Sequence, residues 1–160
     1  MDQRISSIDR VRNALAAQGI TAVPLKEFAE RTATAGDAAA AIGAPVERIV
    51  KSLVFMAGDQ PVLVLASGPN RVDVHKLAQL VGHAVTRANA DQVRQLTGFA
   101  VGGVPPVGHS QRLATFVDRS LLEYEEVWAA AGTPNSVFAI HPRELVRVTA
   151  GEVADVAEVA

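Results

Sequence analysis

Ile49-Val50-Lys51-Ser52-Leu53-Val54-Phe55-Met56, followed through Ala57-Gly58-Asp59-Gln60 by Pro61-Val62-Leu63-Val64-Leu65-Ala66-Ser67, is the stretch that decides the fold. Both apolar runs are of strand length and rich in Val and Leu, and the Gly-Asp between them suits a tight reversal. They read as a hairpin over 49–56 and 61–67. A hairpin is antiparallel, which disfavours a purely parallel doubly wound sheet. Alternation sets Lys51 on the same face as Ile49, Leu53 and Phe55, where burial opposes a lysine's charge. Two readings are open. On an edge strand the stem lies along apolar surface and the amine stays in water. Alternatively, Lys51 lines a concave site and meets a carbonyl, carboxylate or phosphate, a contact of about 4 kcal/mol for a unit charge about 4 Å away near a protein surface.

Outward from the hairpin, helices and strands interleave. A helix opens at Ser7 with Ile8, Val11 and Leu15 on one stripe and ends at Gly19. Residues 20–25 read as a short strand. Thr34 and Asp37 loosely resemble a capping box ahead of a helix over 38–42, which Gly43 and Pro45 stop. Downstream, Asp73 caps a helix with the stripe Val74, Leu77, Leu80 and Val81, closed by Gly82, leaving His75 and Lys76 outward. A helix over 89–97 turns Val93 and Leu96 inward and stops at Gly98. Residues 113–118 read as a strand, and Leu121, Tyr124 and Trp128 mark one face of a helix ending at Gly132. A last strand spans 137–140, Pro142 opens a closing turn of helix through Leu145, and the tail after Gly151 reads as loosely held. The fold class is therefore α/β in the α+β sense: a mixed, curled sheet with helices packed outside.

Composition bounds the function. A chain of 160 residues is the size of one domain, 1–160, with enough chain for its own core. Only 4% of it is aromatic, so that core rests on Val, Ala, Leu and Ile. Cysteine is absent, which excludes disulfides, thiolate metal sites and thiol nucleophiles. His75, His83, His109 and His141 lack ligand spacing, so neither a metal nor another cofactor is expected. No run approaches the roughly 20 apolar residues of a membrane span, and Met1-Asp2-Gln3-Arg4 leads into no signal-peptide core, so a soluble, cytoplasmic protein with no membrane partner is expected. A net charge of −2 gives no global field to draw in nucleic acid.

The second informative stretch is Val101-Gly102-Gly103-Val104-Pro105-Pro106-Val107-Gly108-His109. Its glycines free the backbone and its prolines stiffen it, so it can aim N–H groups at a carbonyl or anion or serve as an ordinary tight connection. It is neither a P-loop nor a dinucleotide fingerprint. Ser67-Gly68-Pro69-Asn70-Arg71 is a binding segment or a turn; Asp118 is a base, an orienting group or a cap; His109 and His141 are proton shuttles or solvated; Trp128 is core. No Ser/His/Asp set has diagnostic spacing.

The lysine strand, Gly68-Pro69-Asn70-Arg71-Val72-Asp73 leading into Lys76-Leu77-Ala78, the stretch 97–108 and Pro142-Arg143-Glu144-Leu145 together resemble the YbaK family, which is similar to the editing domain inserted in bacterial prolyl-tRNA synthetases. The resemblance spans roughly residues 35–155, and its specific element is the lysine strand combined with a G-x-x-x-P loop, Gly102 to Pro106. It implies a barrel-like mixed sheet and metal-free, trans-acting hydrolysis of the ester joining a wrong amino acid to the 3′ end of a tRNA. It also implies that Lys51 faces the substrate. The loop Gly102, Gly103, Val104, Pro105 and Pro106, with Ser52 beside Lys51, would then surround the ester and terminal adenosine. The segment Thr133-Pro134-Asn135-Ser136, where members of differing specificity diverge, matches no subtype.

The chemistry suits the residues. An aminoacyl ester is already activated, so water attack needs positioning and charge stabilisation more than a strong nucleophile. Ala, Val and Gly near the loop suggest a small amino acid such as alanine, serine or cysteine. The rival readings are a non-catalytic module that holds an aminoacyl or nucleotide end beside a synthetase, and a small-molecule esterase or amidase. Arg48, Arg71, Lys76, Arg87, Arg94 and Arg112 are candidates for a local basic surface toward tRNA.

Overall fold

The computed structural model describes residues 6–29, 32 and 34–159; Met1 to Arg4, read above for a leader, lie outside them. Along the chain run α1 (Ser7–Ala17), β1 (Leu25–Glu27), α2 (Ala35–Ile42), β2 (Ile49–Ala57), β3 (Gln60–Ser67), α3 (Val74–Val81), β4 (Val85–Arg87), α4 (Ala90–Thr97), β5 (Ala114–Asp118), β6 (Val127–Ala130), β7 (Ser136–Ile140), α5 (Pro142–Thr149) and β8 (Glu152–Ala154), with 3₁₀ turns at Val46–Arg48 and Arg119–Glu123. The hairpin is β2 and β3, paired antiparallel from Val50↔Ser67 to Ala57↔Gln60, and Gly58 at φ 61° makes its bend. The strands form one mixed sheet ordered β1-β7-β6-β2-β3-β5-β8, with β4 on β2. Strands β6, β5 and β8 join their neighbours β2, β3 and β5 in parallel.

Both faces of the sheet are covered, which is why β3 reads as a continuous apolar run. On one face Val50, Val54, Leu63, Leu65, Val127 and Phe138 pack under α1, α4 and α5. The opposite face carries two separate clusters. Phe55, Val62 and Val64 pack with Leu77 of α3, while Ile49, Trp128 and Val137 pack with Ala38 and Ala39 of α2. Lys51 belongs to neither and stands in the interval between them.

Local chemistry sets the helix ends. Ser6 accepts from the Asp9 N–H at the start of α1, Thr34 from Asp37, and Asp73 from His75 and Lys76. Asn89 and Gln92 form the reciprocal capping box at α4. Several expectations need correction. Residues 20–24 are not a strand; pairing starts at Leu25, after Pro24, which has no N–H to give. The stripe on α3 narrows to Leu77 and the partly buried Val81, because Val74 and Leu80 are 42% and 43% exposed. The helix read through Leu121, Tyr124 and Trp128 is a 3₁₀ turn followed by β6, where Val127 and Ala129 fill one face and Trp128 the other. The closing helix runs on to Thr149. The tail is held: β8 pairs with β5, Val156 is fully buried, and its carbonyl accepts from the Asp73 N–H at 2.7 Å.

Candidate active site

Strand β2 pairs with β3 along one side. On its other side β6 meets only Ile49 and Val50, and β4 only Phe55, Met56 and Ala57. Residues 51–53 therefore have no strand partner on that edge. The Ala88 N–H donates to the Val54 carbonyl at 3.0 Å, so by alternation the peptide groups of Ser52 also point into the gap. A cavity of about 690 Å³ opens there. Because it passes through an interrupted sheet edge, it takes side chains from both faces: Val50, Ser52 and Val54 from one, Ile49, Lys51 and Leu53 from the other. The start of α2, Arg87 with Ala88, the loop at Val101, Gly102 and Val104, and Thr133 with Pro134 complete the wall.

The Lys51 amine donates to the Asn70 carbonyl at 2.6 Å. No carboxylate pairs with it among the described residues. Asn70 is itself held, its amide donating to Asp118 Oδ2 at 2.9 Å and to Ser120 Oγ at 3.2 Å. Asp118 is 1% exposed and also accepts from the Ser67 and Ser120 N–H groups. Burial lowers the Lys51 pKa, the Arg87 charge lowers it further, Asp118 opposes, and Arg71 adds to the lowering. The amine thus leans on a neutral carbonyl, which leaves two of its three N–H donors for an incoming oxygen. Ser52 Oγ is buried with no partner.

The loop contributes unevenly. Gly102, at φ 93°, and Val104 line the cavity. Gly103 is buried behind them against Thr133, where an added Cβ would stand 2.9 Å from the carbonyl carbon, and its N–H is spent on the Ala100 carbonyl. Pro105 does not line the cavity, and Pro106 borders a second hollow on the far side with Val107, Gly108 and His109. Of the seven residues read from the sequence, Lys51, Ser52, Gly102 and Val104 meet in one space; Gly103, Pro105 and Pro106 stand behind it.

His109 is occupied structurally. Its Nε2–H donates to the Pro105 carbonyl at 2.7 Å, and burial lowers its pKa, with that carbonyl opposing and Arg10 adding. His141 caps α5 by accepting from the Arg143 N–H. The basic candidates separate: Arg87 lines the cavity, Lys76 is paired with Asp155 at 3.0 Å, Arg71 lies 3.8 Å from Glu158, and Arg112 borders the second hollow. Trp128 is both core and cavity wall. The sequence reading missed Arg87 as a wall residue, since β4 is too short to show periodicity, and missed the relay from Asp118 through Asn70.

The family model of the aminoacyl-tRNA editing domain matches residues 29–148. YwhH of Bacillus subtilis (strain 168), itself uncharacterized, is 36% identical over 74% of this chain and 76% of its own. A protein of Enterococcus faecalis provisionally named the Cys-tRNA(Pro)/Cys-tRNA(Cys) deacylase EbsC is 26% identical over 84% of this chain and 85% of its own. A solved structure provisionally described as a trans-editing enzyme for prolyl tRNA synthetase is 46% identical, covers 98% of this chain and 100% of that one, and superposes with a TM-score of 0.92.

Proposed function

We propose, from the premise that this chain belongs to the aminoacyl-tRNA editing domain family and is a trans-acting hydrolase of mischarged aminoacyl-tRNA, that the ester is cleaved in the cavity beside Lys51. One observation carries this assignment: Lys51 lines a cavity of about 690 Å³ while its amine is bonded only to a neutral carbonyl among the described residues. The volume suits a small-molecule-sized group such as a terminal aminoacyl-adenosine.

In the proposed reaction the carbonyl oxygen of the ester takes a hydrogen bond from Lys51. Water attacks the carbonyl carbon, negative charge gathers on that oxygen as the centre becomes tetrahedral, and the lysine stabilises it. Collapse breaks the bond to the ribose oxygen, which takes up a proton and leaves as the terminal hydroxyl, freeing the amino acid. Gly102 and Val104 confine the ester on the side opposite β2. The neighbouring ribose hydroxyl of the substrate orients the water. Alanine, serine and cysteine are the candidate side chains, set in a wall that Ala35, Ala38, Ala88 and Ala130 make apolar. The named deacylase relative supports cysteine within that set. A synthetase that charges the tRNA is the natural partner.

The test is a panel of tRNAs carrying alanine, serine, cysteine or a larger residue, with free amino acid as the readout. Lys51→Ala is expected to slow deacylation by about two to three orders of magnitude, the scale of losing one oxyanion donor. Undiminished turnover by a folded Lys51→Ala variant would remove Lys51 from the reaction.

A further inference from the structure

The loop that walls the cavity is gripped from behind by a residue outside the matched family segment. Arg10, on the second turn of α1, sends Nη1 to the Gly98 carbonyl at 3.0 Å and Nη2 to the Gly108 carbonyl at 3.5 Å. One guanidinium thus ties the two ends of the loop together, a task its planar fork of donors suits. Between those ends its Cζ lies 4.2 Å from the centroid of the Phe99 ring, and the His109 ring meets Phe99 edge-on at 6.4 Å. His109 in turn holds the Pro105 carbonyl. The approach is close enough that a Cβ at Gly98 would stand 2.5 Å from Arg10 Nη2.

This grip has a direct line to the cavity. Loop residues Val101, Gly102 and Val104 line it, and all fall between the two carbonyls that Arg10 joins. The loop itself carries two prolines without N–H groups and spends the Gly103 N–H on a local turn; its ends are joined by the Ser110 N–H donating to the Thr97 carbonyl at 2.9 Å, and Arg10 adds a second tie inside that one. Helix α1 is anchored independently by Val11 and Leu15, both 1% exposed.

We propose that Arg10 is a positioning residue for deacylation: by clamping Gly98 and Gly108 it sets the distance between the loop and Lys51, so helix α1 is part of the active-site apparatus. The activity arm of this proposal rests on the deacylase reading; the dynamics arm does not.

Arg10→Ala is compared with wild type and with Arg12→Ala, a surface control whose partner Asp9 lies 3.8 Å away in an exposed pair. Arg10→Ala should lower kcat/KM on the best mischarged tRNA by about ten- to a hundredfold, the cost of misplacing a reacting group by about 1 Å. Guanidinium chloride at about 20 mM, far below the molar concentrations that unfold proteins, should restore several-fold of that loss, with no gain for Arg12→Ala. Amide exchange at Gly103 and Ser110, whose N–H groups donate to the Ala100 and Thr97 carbonyls, should quicken about tenfold or more in Arg10→Ala while β3 amides keep wild-type protection. If Arg10→Ala does not fold, Arg10→Lys takes its place in both arms, since it keeps the charge but only part of the fork. Unchanged kcat/KM, or a loss that guanidinium does not relieve and that comes with uniformly faster exchange across the sheet, overturns the clamp. Wild type inactive on every tRNA, with loop-confined exchange changes intact, would instead sink the deacylase assignment and leave the clamp standing.

Discussion

The Lys51 amine carries a charge that its surroundings resist: it is partly buried, faces Arg87 and Arg71, and has Asp118 only at one remove through Asn70. Those features make it a ready donor to an oxygen that is gaining negative charge, and they also make it a liability to the fold. Its folded pKa lies below the ordinary lysine value of about 10.4, so between the two the unfolded chain binds more protons than the native protein. Stability from this group therefore rises with pH across that window and is withheld below it. Lys51→Met removes the titration while keeping the side chain's length. The melting temperature of wild type should gain on that of Lys51→Met as pH is raised toward about 10.4. A difference between the two that stays constant with pH would show that the amine is not strained by burial.

Elements with a dense local signal were legible in the sequence. The β2–β3 hairpin is fixed by two apolar runs and a glycine bend, and the ends of α2, α3 and α4 by side chains that cap them. Within the candidate site, Lys51 and Gly102 stand out for the same reason, one being a charge in an apolar strand and the other a hinge. What escaped depends on distant partners. Strand β4 has three residues and exists because β2 offers it an edge, and the spacing of Leu121, Tyr124 and Trp128 fits a helix until β2 and β7 claim residues 127–130 as a strand between them. Asn70 could be seen as a turn residue, but its hold on Lys51 requires the ends of β2, β3 and β5 to meet. The tail is the clearest such case, since its polarity hides one anchor. Val156 is fully buried with Phe55, Leu77 and Phe116. Val156→Ala should cost about 1 to 3 kcal/mol in urea unfolding, the range for removing buried methyl groups. An unchanged unfolding midpoint would mean that the segment after β8 does not belong to the cooperative unit.

At the scale of the whole molecule, the site exists because one central strand loses its neighbours halfway along. Strands β6 and β4 diverge from β2, the clusters under α2 and α3 stay apart on one face, and the opening reaches through to the loop that α1 braces on the other. A deacylase built this way must still capture a polyanion with a net charge of −2. Long-range attraction is weak, and the cations that count are few: Arg87 in the cavity wall and Arg71 near enough to act on Lys51, while Lys76 is engaged by Asp155. Screening at about 0.1 M salt already acts within roughly 10 Å, so only phosphates brought against those side chains contribute. If Arg71 and Arg87 each neutralise one phosphate of the single-stranded 3′ end, the logarithm of kcat/KM should fall against the logarithm of salt with a slope of about −1.4. Replacing either arginine with glutamine should bring the slope to about −0.7, and replacing Arg94, on the exposed side of α4, should leave it unchanged. A steep slope insensitive to Arg71 and Arg87 would mean that the tRNA lies along another face of the protein.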